Sequence, residues 1–233
     1  MFMEWIDKWI ARLYQTFIVS DRYKTIIDGL EKTIIITFGA LAIGVVIGTI
    51  VAMIKVFADG NKKLKLFDIL CNIYLTVIRG TPVVVQLLIS FFIIFVSAKD
   101  GTWVATLTFG INSGAYVAET IRSGIMAIDP GQMEAGRSLG FSRLQTMKEI
   151  ILPQAFKNVL PAIGNEMIAL LKETSVAGYV AVTDLTKAAN QIKNTTYDQV
   201  NPILLTALIY LAIVMLLTKL LGIMERRLRK SER

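Results

Sequence analysis

Histidine is missing from this 233-residue chain, and cysteine occurs once, as Cys71. No disulfide can form within the chain, and His-ligated metal centres and Ser-His or Cys-His nucleophiles are excluded. The pattern G-x-x-x-x-G-K-[ST], whose backbone cradles nucleotide phosphates, is absent too. The N-terminus MFMEWIDKWIARLYQTFIVS has no basic start, long apolar run or small-residue cleavage site, so a signal peptide is not expected. No catalytic residue, metal ligand or resident cofactor is predicted.

What remains is strongly apolar. Hydrophobic residues make up 54% of the chain, alongside 25 Lys and Arg against 18 Asp and Glu, a net charge of +7. Thr33 to Ile54 is a run of 22 residues without a charge, enough to cross the ~20-residue hydrocarbon core. The fold class expected is an all-α integral membrane protein with five transmembrane helices, an N-terminal interfacial helix and a cytoplasmic coupling helix. The basic residues cluster beside the spans rather than along a soluble face, which argues against a nucleic-acid partner.

After the first span come Lys55, Lys62, Lys63 and Lys65, then an apolar region interrupted by Arg79-Gly80-Thr81-Pro82. Pro82 cannot donate to the carbonyl of Ile78, so a bend or break is expected there. Residues 64–79 are read as lying along the interface and 80–98 as the second span, with a single long kinked helix as the alternative. Further spans are expected at 102–124, 155–178 and 202–223. Five crossings put the termini on opposite sides. The Lys/Arg-rich loop after the first span, the 123–153 loop and the tail share one side, assigned to the cytoplasm by the positive-inside rule, leaving the N-terminus outside. Trp5, Trp9, Ile10, Leu13 and Phe17 recur at helical spacing in the 1–26 segment. In the first span Ala40, Gly44, Gly48 and Ala52 line one face at intervals of four, favouring packing within the subunit over a seam between subunits.

The loop at 129–153 is folded. Asp129 can cap a helix that starts at Pro130, Gln132 completes a capping box, and Gly140 can close it in a left-handed conformation near Leu139. A second helix begins after Ser142, with Gln145 three residues on, and is expected to stop at Pro153. Capping alone leaves two readings open, a docking element or a loop that merely lies on the interface.

Glu134-Ala135-Gly136, Gly140, Ile150, Leu152 and Pro153 resemble the EAA loop of membrane subunits of ATP-binding-cassette importers. That pattern is EAA, three residues, G, nine residues, I, any residue, LP, and the chain departs from it in having Gly136 for the second alanine. RGTPVVVQL at 79–87, AYVAETIRSGI at 115–125 and LPAIGNEMIALLKETS at 160–175 resemble the polar-amino-acid branch, the histidine, arginine and glutamine permeases. The resemblance implies that Glu134, Ala135, Gly136 and Gly140 form a coupling helix seated on a cytoplasmic ATPase. It also implies ATP and magnesium on that partner, an extracytoplasmic amino-acid-binding protein, a second permease copy, identical or not, and a bacterial inner-membrane location. The transmembrane domain then covers 27–226 and a basic cytoplasmic tail 227–233.

The fourth span carries Asn165, Glu166, Lys172 and Glu173 on an arc of roughly 120°. Each charge would cost ~2.5–3.5 kcal/mol facing lipid at mid-bilayer, so the stripe is expected to face protein or a wet cavity. Glu166 with Asn165 is read as substrate-facing, suited to an α-ammonium or a basic side chain, whereas Lys172 and Glu173 fit a structural or gating pair. The third span adds Asn112, Ser113 and Tyr116 as substrate candidates, and Glu119 and Arg122 as an i,i+3 pair. Arg79 and Pro82 are assigned to gating. The rival reading is a secondary amino-acid transporter or ion-coupled channel using these carboxylates, though five unequal spans show no inverted repeat.

Overall fold

A computed structural model describes residues 2–58 and 61–230, and among these every regular element is helical. The end of the basic tail, residues 231–233, lies outside the described residues, as does the side chain of Trp5. In chain order the α-helices are α1 (Phe2–Leu13), α2 (Tyr23–Ala58), α3 (Lys65–Gly80), α4 (Val83–Ile89) and α5 (Gly101–Met126). They are followed by α6 (Pro130–Ser138), α7 (Arg143–Thr146), α8 (Leu152–Glu173), α9 (Leu185–Thr196) and α10 (Asn201–Lys230).

The bundle is organised around α5, and α2 runs along it at close range. Ala40, Gly44, Gly48 and Ala52 are all buried, and a Cβ on Gly48 would lie 2.6 Å from Val117 Cγ1. The seam is reciprocal, since a Cβ on Gly110 of α5 would lie 2.7 Å from Ile43 Cβ. The small-residue face is thus spent on packing within the subunit. Added methylenes at such a contact typically cost about 1–3 kcal/mol.

Burial also explains the composition of the spans. Among the described residues two helices, α2 and α10, are long and apolar enough to cross a membrane, or three counting one bent pair. α5 and α8 have 26 and 22 residues but carry threonine, asparagine and charge. Thr108, Asn112 and Ser113 of α5 are buried against protein, so lipid compatibility is not required of them. α10 is the opposite case, with Leu208, Leu211, Met215 and Leu220 all exposed on the chain's surface.

The expected second span takes a different form. α3 and the Val83–Ile94 segment meet at 105°, too sharp for a single kinked helix. The second arm is only 12 residues and ends in a π turn over Ser90–Ile94, so the 80–98 stretch is not one straight crossing. Thr81 and Pro82 are both extended, and Pro82 serves as the N-cap of α4.

Two further expectations are corrected on the α6 side. Asp129 caps α6 by accepting from the Gly131 N–H at 2.8 Å, and no reciprocal Gln132 bond is seen among the described residues. The helix after Ser142 does not stop at Pro153. A π turn over Met147–Ile151 joins α7 to α8, with the Leu152 N–H donating to the Met147 carbonyl, and Pro153 falls in the first turn of α8, where a missing N–H is tolerated.

The opposite end of the bundle is closed by α1 and α9, the latter unanticipated from the sequence. Asp184 caps α9 by accepting from the Thr186 N–H at 2.9 Å, and the Leu185 N–H donates to Thr33 Oγ1 of α2 at 3.1 Å. Asp198 gathers the corner. It accepts from Thr16 Oγ1 at 2.8 Å and Asn201 Nδ2 at 2.7 Å, while Trp9 Nε1 donates to Asn201 Oδ1 at 3.1 Å. The N-terminal segment is therefore tied to the start of α10.

Burial raises the Asp198 carboxyl, but hydrogen bonds from Asn201 and Thr16 outweigh it and hold the group below the usual 3.8. A depressed folded value means its stabilisation is present above pH 3.8 and lost as pH falls through that lower value. Asp198→Ala is expected to lower stability by about 1–3 kcal/mol by stranding buried donors. In thermal unfolding of the detergent-solubilised protein, the gap from wild type should hold from neutral pH to about pH 4 and close below that.

Candidate functional site

The polar residues singled out in the sequence fall on two adjacent faces of α5. On the first, Ser113, the thirteenth residue of this 26-residue helix, donates from Oγ to Glu166 Oε1 of α8 at 2.8 Å. Ser113 is buried and Glu166 half-buried. The bond is possible because Gly44 leaves room beside Ser113, where a Cβ would stand 2.9 Å from its Oγ. Asn165 is exposed next to Glu166, and Lys172 and Glu173 are exposed toward the α9 end of α8.

On the second face Asn112 is buried and its Nδ2 donates to Gln86 Oε1 of α4 at 3.1 Å. One turn on, Tyr116 is 40% exposed and carries the Arg79 guanidinium 5.6 Å from its ring centroid, within cation–π range. A cavity of about 400 Å³ opens here, lined by Leu75, Thr76, Arg79, Gly80 and Tyr116. Tyr74 of α3 donates its hydroxyl to the Ile111 carbonyl at 2.6 Å, fixing α3 across α5. Glu119 and Arg122 pair at 2.6 Å, with a second contact at 3.3 Å.

Ser113 and Glu166 thus come together, and Asn112, Arg79 and Tyr116 gather at the α3–α4 corner. Gln86 was missed by sequence reasoning. Its signal was available, since a proline break leaves carbonyls unpaired and Gln86 is the first amide side chain after it.

The α6 element is closed at both ends. Gly140 has φ +88°, the Phe141 N–H donates to the Gly136 carbonyl at 3.1 Å, and the Gly140 N–H to Arg137 at 3.0 Å. These two bonds make a Schellman motif. Ser142 and Gln145 form the reciprocal capping box at the start of α7, with bonds of 3.2 and 2.8 Å.

Glu134, Ala135, Ser138 and Gly140 are exposed, and Leu139 is 76% exposed. Gly136 alone of the Glu134, Ala135, Gly136 and Gly140 set is buried, facing inward. A Cβ there would lie 2.5 Å from Thr146 Cγ2 and 2.8 Å from its Oγ1. Thr146 is β-branched, fully buried, and donates from Oγ1 to the Ser142 carbonyl at 3.1 Å, so it has no free rotamer to yield. The departure from alanine at 136 therefore has a local steric cause.

The fold is that of a polytopic helical permease. Residues 44–230 match the model for the binding-protein-dependent transport system inner membrane component. The arginine transport system permease protein ArtQ of Bacillus subtilis (strain 168) is 36% identical over 210 residues, covering 89% of this chain and 94% of that protein. A putative glutamine transport system permease protein of Rickettsia bellii (strain RML369-C) is 37% identical over 206 residues, covering 87% and 92%. Among solved structures, an amino acid ABC transporter crystallised with histidines is similar at a TM-score of 0.81 and 41% identity, over 91% of this chain and 98% of that one. The methionine transporter MetNI, at 20% identity and a TM-score of 0.76, shares the fold. The chain belongs to the binding-protein-dependent transport system inner membrane component family and is a multi-pass membrane protein.

Gly136→Ala, although it restores the family pattern, is expected to lower the unfolding temperature. Overpacking at about 1–3 kcal/mol exceeds the ~1 kcal/mol that alanine gains in a helix. Gly136→Ala/Thr146→Ala should recover most of the loss, as read by thermal unfolding of the solubilised protein.

Proposed function

We propose that this chain is the permease subunit of an ATP-driven importer for polar amino acids, with a cationic group of the substrate received at Glu166. The observation that carries the reading is the Ser113–Glu166 pair, a half-buried carboxylate held at mid-length of the central helix. Intramembrane ionisable groups default to substrate or ion pathways. Arginine and glutamine systems among the relatives agree with a substrate bearing an α-ammonium, and a basic side chain would gain further from the carboxylate. Asn165 and Tyr116 supply the neighbouring polar surface, Ser113 holds the carboxylate, and buried Asn112 supports the same turn through Gln86.

The chain makes no chemical bond in this reading. A partner ATPase binds ATP and magnesium, a binding protein outside delivers the amino acid, and a second permease copy completes the path. The exposed face of α6, with Glu134, Ala135 and Leu139, is the surface on which the ATPase acts, and Gly136 and Gly140 give that element its seat and its stop. Its N- and C-terminal caps support a rigid element of this kind. Five crossings, counting the bent α3–α4 pair as one, put the N-terminus outside and the basic tail in the cytoplasm. Work is done by differential affinity for the substrate between two access states. Family membership disfavours a secondary transporter or channel.

In proteoliposomes containing the permease, its ATPase and the binding protein, Glu166→Gln should lower uptake and substrate-stimulated ATP hydrolysis about tenfold or more, equal to ~1.4 kcal/mol. Unchanged values would remove Glu166 from the substrate path. Deleting residues 130–140 should abolish co-purification of the ATPase, and a persisting complex would overturn the docking assignment.

A further inference from the structure

The α3–α4 corner presents a problem of unpaired backbone. Pro82 has no N–H, so the Ile78 carbonyl loses its helical partner, and the extended Thr81 leaves a second carbonyl free. Backbone groups left unpaired where water is excluded are strongly destabilising. Gln86 answers both. Its Nε2 donates to the Ile78 carbonyl at 2.8 Å, to Thr81 Oγ1 at 2.8 Å and to the Thr81 carbonyl at 3.1 Å. Two N–H groups shared among three acceptors leave the amide nitrogen fully engaged. The other end of the same amide accepts from Asn112 Nδ2 at 3.1 Å, and Asn112 immediately precedes Ser113, which donates to Glu166.

We propose that Gln86 is a positioning residue for transport: it stands in for the N–H that Pro82 lacks and ties the resulting corner to the substrate-facing turn of α5. The inference rests on the reading of Glu166 as the substrate carboxylate. A side chain that only repaired the break would not need Asn112. The chain of bonds from Ile78 through Gln86 and Asn112 ends one residue from Ser113, so a shift of that turn on substrate binding moves the Asn112 donor held by the Gln86 amide oxygen. The corner also borders the cavity beside Arg79 and Tyr116, so its position sets the shape of that opening.

The two ends of the amide can be cut separately. Asn112→Ala removes the link and leaves the Ile78 and Thr81 bonds, whereas Gln86→Glu keeps an acceptor for Asn112 and, as a carboxylate, cannot donate to the Ile78 carbonyl. Gln86→Leu cuts both. In the reconstituted complex with its ATPase and binding protein, Asn112→Ala should lose about tenfold in substrate-stimulated ATP hydrolysis, with an unfolding temperature near wild type. Gln86→Glu should lower the unfolding temperature more than it lowers stimulation. Gln86→Leu/Asn112→Ala should be no worse in stimulation than Gln86→Leu alone, the non-additivity expected of one shared bond. Full stimulation in Asn112→Ala, or additive losses in the double variant, would overturn the proposal. If Gln86→Leu does not fold, the Asn112→Ala and Gln86→Glu pair still decides it. Should Glu166→Gln abolish stimulation while Asn112→Ala keeps it, this inference falls alone; should both keep it, the substrate reading falls with it.

Discussion

The close approach of α2 to α5 is the contact on which the rest of the molecule depends. Gly44 and Gly48 on one side and Gly110 and Gly114 on the other let Ser113 and Val117 of α5 and Ile43 and Ile47 of α2 pack directly on the facing glycines, which brings the two helices close. In a membrane, where helices gain nothing by leaving lipid for protein, association rests on such packing and on hydrogen bonds. The seam makes α5 an interior helix and gives it a protected environment for Thr108, Asn112 and Ser113. The glycine face of α2 covers the Ser113 side of that polar stretch, and α4 and α8 cover the rest through Gln86 and Glu166.

A second regularity is that several interruptions of the helices carry their own substitute for the lost backbone bonds. Gln86 covers the α3–α4 corner, the Gly140 turn closes α6, and Ser142 with Gln145 opens α7. At the N-terminal corner Arg22 donates to the Gln15 carbonyl at 2.9 Å and to the Val19 carbonyl at 3.1 Å, below a turn in which Ser20 has φ +65°. These devices let the chain change direction without leaving buried donors or acceptors unpaired.

How much of this could be read from the residues follows from the range of each interaction. The caps at Asp129, Gly140 and Ser142 are local, and their partners lie within about one helical turn, so spacing alone reveals them. The small-residue face of α2 and the apolar length of α2 and α10 are equally legible. The α9 helix was not, because its Leu185–Thr196 segment is polar and its anchoring to Thr33 and Gly29 spans more than 150 residues. The inward orientation of Gly136 depends on Thr146, a residue with no mark in the sequence pattern. Within the candidate site, Glu166 was visible as a charge out of place, but its partner Ser113 and the division of α5 into two polar faces required the packing of three helices.

From Arg143 to Glu173 the chain forms one continuous helical rod interrupted by a single π turn at Met147–Ile151. A π turn holds one residue more than an α turn, and one residue is worth about 100° of rotation about the axis. That single inserted residue therefore sets the rotational phase between the two ends of the rod. Thr146 can point at Gly136 while Glu166, some twenty positions on, points at Ser113. Without it the two ends would be out of step by more than a quarter turn, and Glu166 would face away from Ser113.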